Sequence, residues 1–368
     1  MSHTDAMPAA LENHLHAMIQ ANGPISFDRF MEEALYHPQW GYYESDTTEI
    51  GHRGDFQTSV SVGSFFGELL ARQFWDWAKE EASIQWLECG AHHGQLAEDM
   101  LNSLQALTAL ETKEVQYLIF ETSDKRRNIQ QKRLKRFGES VHWVSSWQEV
   151  KNHFRRGVIF SNELLDAFPT KKFVWNRKSE IWMESFVGSR GNQFEWVQQT
   201  TDQSVPAACL SDEEFAQLKP VLPDQYTIER SISAENWWKE AAQCLDCGHL
   251  VTFDYGFISA LEKFAAQRTR GTLRTYSRHR LGDELLMHPG QKDITAHVDF
   301  HALKNIGETT GLKNEGLISQ ESMMHRCFEL ALKQDLKPSP KQLAQFRTLM
   351  HPEHFGKSFK VLIQSKRD

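Results

Sequence analysis

The chain has 368 residues, enough for two ordinary domains or one large domain carrying an insertion. Hydrophobic residues make up 40% of it and charged residues 24%, which sets aside a disordered chain and leaves room for a packed core. The 49 acidic side chains outnumber the 41 basic ones, for a net charge of −8, so no nucleic-acid partner is expected. No stretch of about 18 residues is free of charge, so no membrane insertion is expected. No Lys or Arg precedes Arg29, and neither a signal nor a transit peptide is read there. Five scattered cysteines (Cys89, Cys209, Cys244, Cys247 and Cys327) read as reduced thiols of a cytoplasmic protein, not as a disulfide framework.

In chain order, 8–21 and 26–36 read as short helices, the second capped by Ser26. A segment rich in glycine and aromatics follows, and then the loop Gly51-His52-Arg53-Gly54-Asp55-Phe56-Gln57-Thr58-Ser59. The stripe Phe66, Leu69, Leu70, Phe74 and Trp77 predicts a core-facing helix over about 62–80. From residue 84 strand and helix alternate. Strands are expected at 84–90, 115–121, 141–144 and 157–161, with helices at 96–107 and 124–136. That rhythm implies a parallel sheet with right-handed crossovers. Hairpin patterns at 172–175, 181–187 and 194–198 interrupt it, and their Trp175, Trp182 and Trp196 read as a small core. Helices at 211–218 and 232–245 lead back to strands at 249–254 and 356–366. The expected fold is therefore α/β, doubly wound, with residues 171–245 as an insertion. Three segments complete the division: 1–80 as an N-terminal helical extension over the site, and 81–170 with 246–368 as the core.

In open α/β sheets ligands bind beyond the carboxyl ends of the strands, near the point where strand order reverses. Three of the expected strands end in polar signatures. The first ends in Glu88-Cys89-Gly90-Ala91-His92-His93-Gly94, where Gly90 and Gly94 suit a tight strand-to-helix turn. The second ends in Glu121, placed to accept hydrogen bonds from both hydroxyls of an adenosine ribose. The third is Asn162-Glu163 with Asp166, after the strand expected beside the first. A G-x-G-x-x-G fingerprint is missing, and a pyrophosphate would need that close backbone approach. S-adenosylmethionine carries no pyrophosphate and tolerates a His in the turn. The balance leans toward a methyltransferase over a dehydrogenase.

Cys244-Leu245-Asp246-Cys247 is a lone C-x-x-C without a second ligand pair, so no metal is expected there. His297 and His301 stand four apart on an expected helix, with Thr295 as its cap and His297 facing a polar pocket.

Ordered blocks along almost the whole chain resemble the MidA family. They run from Pro24-Ile25-Ser26-Phe27, Leu35-Tyr36-His37-Pro38 and Gly41-Tyr42-Tyr43 to Gly54-Asp55-Phe56-Gln57-Thr58-Ser59 and Phe66-Gly67-Glu68. They continue with the glycine turn, Glu121-Thr122-Ser123 with Arg127 and Gln130, and Asn162-Glu163 with Asp166-Ala167 and Pro169. Asp254-Tyr255-Gly256, Gly271-Thr272-Leu273, Asp293 to Phe300, and Gly356 with Phe359-Lys360-Val361 complete the set. The resemblance implies a class I methyltransferase: a Rossmann-like, seven-stranded sheet with S-adenosyl-L-methionine as cofactor. It also implies a protein substrate, arginine in the mitochondrial member, which acts on a core subunit of NADH:quinone oxidoreductase. The family usually has glycine at the position of His92.

On this reading Glu88, Gly90, His92, Gly94, Glu121, Asp55, Phe56 and Thr58 hold the cofactor. Glu163, Asp166, Asn162 and His297 meet the acceptor, with Glu163 the first choice. A homodimer is compatible with it. Two alternatives stay open, a methyltransferase-fold assembly chaperone for respiratory complex I and a nicotinamide-dependent oxidoreductase.

Overall fold

The computed structural model describes residues 3–45, 58–78, 83–108, 114–203, 210–277 and 280–367. Asp55, Phe56 and Cys209 lie outside the described residues. The chain divides into two compact units. One comprises 1–49, 166–236 and 257–303, the other 50–165, 237–256 and 304–368. No described helix is long and apolar enough to cross a membrane.

The second unit is built on the expected parallel sheet. Seven strands follow one path: Lys313–Ser319, Phe359–Lys366, Cys247–Phe257, Arg156–Asn162, Ser83–Cys89, Glu114–Phe120 and Val141–Val144. The sheet counts eight strands in all, against the seven that the resemblance implies. From Cys247–Phe257 to Val141–Val144 every pairing is parallel. Phe359–Lys366 is antiparallel to both of its neighbours. Strand order reverses between Ser83–Cys89 and Arg156–Asn162, where the sequence places the candidate site. Buried residues such as Trp86, Leu87, Val158, Ile159, Phe160, Leu250 and Val251 make near-continuous apolar strands, as a sheet covered on both faces requires. The helix Phe65–Ala78 buries Phe66, Leu69, Leu70 and Phe74 in this core, together with Gln95–Thr108 and Gln320–Lys333. Gln364, fully buried, accepts from the Trp238 indole at 2.8 Å and donates to the Lys304 carbonyl at 2.9 Å.

The first unit holds an antiparallel sheet in the order Ile25–Ser26, Ile181–Arg190, Lys171–Asn176, Thr227–Arg230, with Gln193–Thr200 paired to Ile181–Arg190. Trp175 and Trp182 are fully buried, 5.2 Å apart, with Tyr226 and Ile228. Trp196 does not join them. It lies against Phe27 at 5.1 Å in a separate cluster that takes in both N-terminal helices, His3–Asn22 and Phe27–Tyr36. Ser26 stands at the N-cap of the second helix, but its side chain makes no capping bond. Thr295 is the last residue of the strand Asp293–Thr295 and caps nothing, and His297 precedes the helix Phe300–Thr309. Asp299 is the capping group, accepting from the Ala302 N–H at 3.0 Å.

One close approach sets the register where these parallel strands begin. Gly157, at φ +138°, pairs with Gly248, and a Cβ on Gly157 would overlap the carbonyl oxygen of Gln85. Backbone cannot give way there as a flexible side chain could. Gly157→Ala should therefore lower stability by about 3 kcal/mol or more, or abolish folding, as thermal denaturation would show.

Candidate functional site

All the described cofactor candidates fall in the second unit. The glycine turn bends through positive φ three times in five residues, at Gly90 (+79°), His92 (+46°) and Gly94 (+76°). Gly90 is favoured first by its backbone. Its φ disfavours any side chain, and a Cβ would stand 2.8 Å from Leu164 Cδ1. The Gly94 N–H closes the turn on the Ala91 carbonyl at 2.7 Å, and the helix Gln95–Thr108 starts there. His92 occupies the left-handed region that histidine enters more readily than most residues. Its ring lies 3.8 Å from that of His93, and its Nε2 is sheltered and makes no hydrogen bond. Burial, followed by the charges of Arg126, His93 and Arg133, holds its pKa well below the usual value, so the imidazole is neutral at pH 7.

Glu121 stands one residue beyond its strand, 8% exposed. One carboxylate oxygen accepts from the Ser123 N–H and the other from the Gln130 amide, each at 2.9 Å. Ser123 also caps the helix Asp124–Leu134, accepting from the Arg126 N–H.

Asn162 ends its strand and Glu163 follows at φ +52°, a costly conformation for a residue with a side chain. Its N–H donates to the Phe253 carbonyl at 2.9 Å, and its Oε1 accepts from the Ser59 N–H at 3.0 Å. The Asn162 amide donates to the same oxygen at 3.1 Å, while its Oδ1 is buried without a hydrogen bond. Thr58 shares hydrogen bonds with Ser61, so its hydroxyl closes a turn, while the next residue makes the contact to Glu163. Asp254, fully buried, accepts from the N–H groups of Leu165 and Tyr255 at 3.0 and 2.9 Å. Ser59 and Gln130 thus support Glu163 and Glu121, and Asp254 holds the backbone at Leu165, through side-chain bonds that no local pattern reveals.

The acceptor-side candidates are split. Asp166 and His297 belong to the first unit, where the Ala296 N–H donates to the Asp166 carbonyl at 2.8 Å. The His297 Nδ1 lies 3.2 Å from an Arg268 guanidinium nitrogen, and its backbone N–H donates to Thr272. Burial first, then Arg268 and Arg274, bring its pKa down to about 4, which leaves a neutral ring and a weak base. Among the described residues one group approaches metal-ligand spacing: His14, Glu33 and His37, with ligand atoms within 4.8 Å of one another. The His37 Nδ1 accepts from two backbone N–H groups, which puts its proton on Nε2, and Glu33 is paired with Arg29. That arrangement suits a helix-to-helix clasp better than a cation.

Glu88 is 3% exposed, and its Oε2 accepts from the Tyr117 hydroxyl at 2.6 Å. Burial, opposed by that bond and reinforced by Asp99, raises its pKa from 4.5 to about 7. The folded state then holds a proton that the unfolded chain has lost, so stability falls as pH rises from about 4.5 through 7. The upper bound of that loss is about 3 kcal/mol. Glu88→Gln should flatten the decline above pH 6 in urea unfolding. The share owed to Asp99, whose pKa is raised to about 6, should persist below that.

A family described as "Putative S-adenosyl-L-methionine-dependent methyltransferase" matches residues 69–318. The chain is 26% identical to the Xenopus laevis protein named protein arginine methyltransferase NDUFAF7, mitochondrial, over 95% of this chain and 83% of that protein. It is likewise 26% identical to the human protein of that name, over 94% of this chain and 81% of that one. A COG1565 superfamily protein from Burkholderia thailandensis, solved bound to S-adenosyl-homocysteine, matches with TM-score 0.84 and 28% identity, over 98% of this chain and 93% of that one. The nicotinamide-dependent oxidoreductase alternative falls with these likenesses. Carrying the family's match over more than half its length on the sheet described above, the chain belongs to this family of S-adenosyl-L-methionine-dependent methyltransferases.

Proposed function

We propose that the protein transfers the methyl group of S-adenosyl-L-methionine to a protein side chain, and that the side chain is arginine. The observation that carries the choice of arginine is the likeness, along about 95% of the chain, to proteins named as protein arginine methyltransferases. The donor set fits the cofactor. The Glu121 carboxylate, oriented by the Ser123 N–H and the Gln130 amide, is the acceptor type that ribose hydroxyls require. The His92 Nε2 and Asn162 Oδ1 are sheltered polar atoms still without hydrogen bonds. Glu121 would take the ribose hydroxyls. The turn of Gly90, His92 and Gly94, backed by Glu88, would take the methionine end.

When bound, the cofactor supplies a methyl carbon activated by its sulfonium. The protein has to align the acceptor nitrogen at about 3–3.5 Å and keep water out. Arginine arrives protonated, so a carboxylate must hold the guanidinium and offset charge as a nitrogen lone pair is freed. Glu163 serves as that carboxylate on this reading, with Asn162 orienting the nitrogen. Asp166 is the second carboxylate, and His297 is a neutral acceptor. The 171–245 segment would present the protein substrate, of which a core subunit of an NADH:quinone oxidoreductase is the candidate that the resemblance implies. The four described cysteines are free thiols, in keeping with a reducing cytoplasm.

Methyl labelling of a lysate with this enzyme, read by mass spectrometry, tests the acceptor. Methylarginine supports the proposal, and label on another side chain alone overturns the choice of arginine. Glu121→Ala should weaken binding of S-adenosylmethionine by about 10- to 100-fold in calorimetric titration, from charge-assisted bonds of ~1.5–3 kcal/mol. Glu163→Gln should leave that affinity unchanged and lower turnover about 100-fold or more, from the loss of one electrostatic stabiliser.

A further inference from the structure

Gln130 stands on a helix of otherwise polar, largely basic sequence, Asp124-Lys125-Arg126-Arg127-Asn128-Ile129-Gln130-Gln131-Lys132-Arg133-Leu134, and it is fully buried. Its amide makes three hydrogen bonds, each 2.9 Å long. The Trp143 indole donates to its Oε1, and its Nε2 donates to the His92 carbonyl and to the Glu121 carboxylate. An indole N–H can only donate, so the oxygen must face Trp143 and both amide hydrogens must face the other way. The side chain has one usable orientation, and in it one nitrogen bridges the glycine turn and the acidic residue at the end of the next strand.

We propose that Gln130 is a positioning residue for cofactor binding. It ties the turn carbonyl of His92 to Glu121 and so fixes the direction in which the carboxylate meets the ribose. This rests on the reading of Glu121 as the ribose acceptor. Two features favour positioning over general support of the core. The two partners are the residue in the strained backbone conformation and the carboxylate itself, which sit on different strand ends. The other carboxylate oxygen accepts from the Ser123 N–H, so Gln130 restrains the opposite edge of the same planar group. Without it one edge of the carboxylate loses its donor, and the turn loses a bond that offsets its left-handed residue.

The test is a double-mutant cycle on the full chain, read as S-adenosyl-homocysteine affinity by calorimetry. Gln130→Met keeps length and burial and removes all three bonds. It should weaken binding about 10-fold in the wild-type background and by less than about 3-fold in Glu121→Ala, because the two changes destroy one shared arrangement. Equal losses in both backgrounds would mean that Gln130 acts on the fold alone, and unchanged affinity would also overturn the proposal. If Glu121→Ala by itself leaves affinity untouched, the ribose reading fails and the inference falls with it. If that variant weakens binding and Gln130→Met does not, only the inference fails. Should Gln130→Met not fold, Trp143→Phe frees the amide to turn over. It should cost about 3-fold in the wild-type background and nothing in Glu121→Ala, and equal losses there would overturn the proposal.

Discussion

Gly90 carries the chain out of the strand Ser83–Cys89 at φ +79°, a conformation that a side chain disfavours. That bend stands where the two strands that flank the reversal of strand order, Ser83–Cys89 and Arg156–Asn162, pair with each other, and Leu164 packs against it. The rest of the candidate site is arranged around it. The chain can leave the first strand only through left-handed backbone, which throws His92 and Gly94 into the same region and sends the helix Gln95–Thr108 away from the turn. On the neighbouring strand the residue before Leu164 is Glu163, itself left-handed, and the residue after it is anchored by Asp254. Left-handed backbone thus marks both the glycine turn and the carboxylate that follows the neighbouring strand.

The second organising principle is that a few wholly buried polar side chains in this core tie distant segments together. Gln364, Gln130 and Asp254 are each wholly buried, and each ties backbone or an indole from a distant part of the chain. A buried amide or carboxylate with its bonds satisfied costs little, whereas the same group unpaired costs 1–3 kcal/mol or more, so such residues specify one arrangement among many of similar hydrophobic burial. Lys263 does the same in the other unit, 4% exposed and 3.0 Å from Asp299.

What the sequence discloses follows from where the signal is stored. The parallel strands were legible because their apolar runs are continuous and Gly90 and Glu121 fall directly at their ends. The helix Trp147–His153 escaped because seven residues with Val150 alone buried carry no period. The strand Thr227–Arg230 and the three-stranded sheet around Arg274–Ser277 are too short to alternate visibly. His297 was placed on a helix because a threonine two residues earlier looks like a cap, while the group that caps the helix is Asp299. At the site, residues that act through the chain's own neighbourhood could be read. Those that act across it could not, as with Ser59 holding Glu163, because hydrogen-bond partners far apart in sequence leave no local trace.

The strand Phe359–Lys366 lies inside the sheet, antiparallel to both neighbours, yet it follows every other strand of that path in chain order. During synthesis Cys247–Phe257 therefore waits as an edge of the sheet, and Lys313–Ser319 as a strand without its partner, until the ribosome has delivered this segment. Each leaves a row of unpaired backbone groups of the kind that recruits foreign strands. The nascent protein is thus most exposed to misassembly after its glycine turn and Glu121 have been made but before the sheet closes. Chaperone demand should peak in that interval.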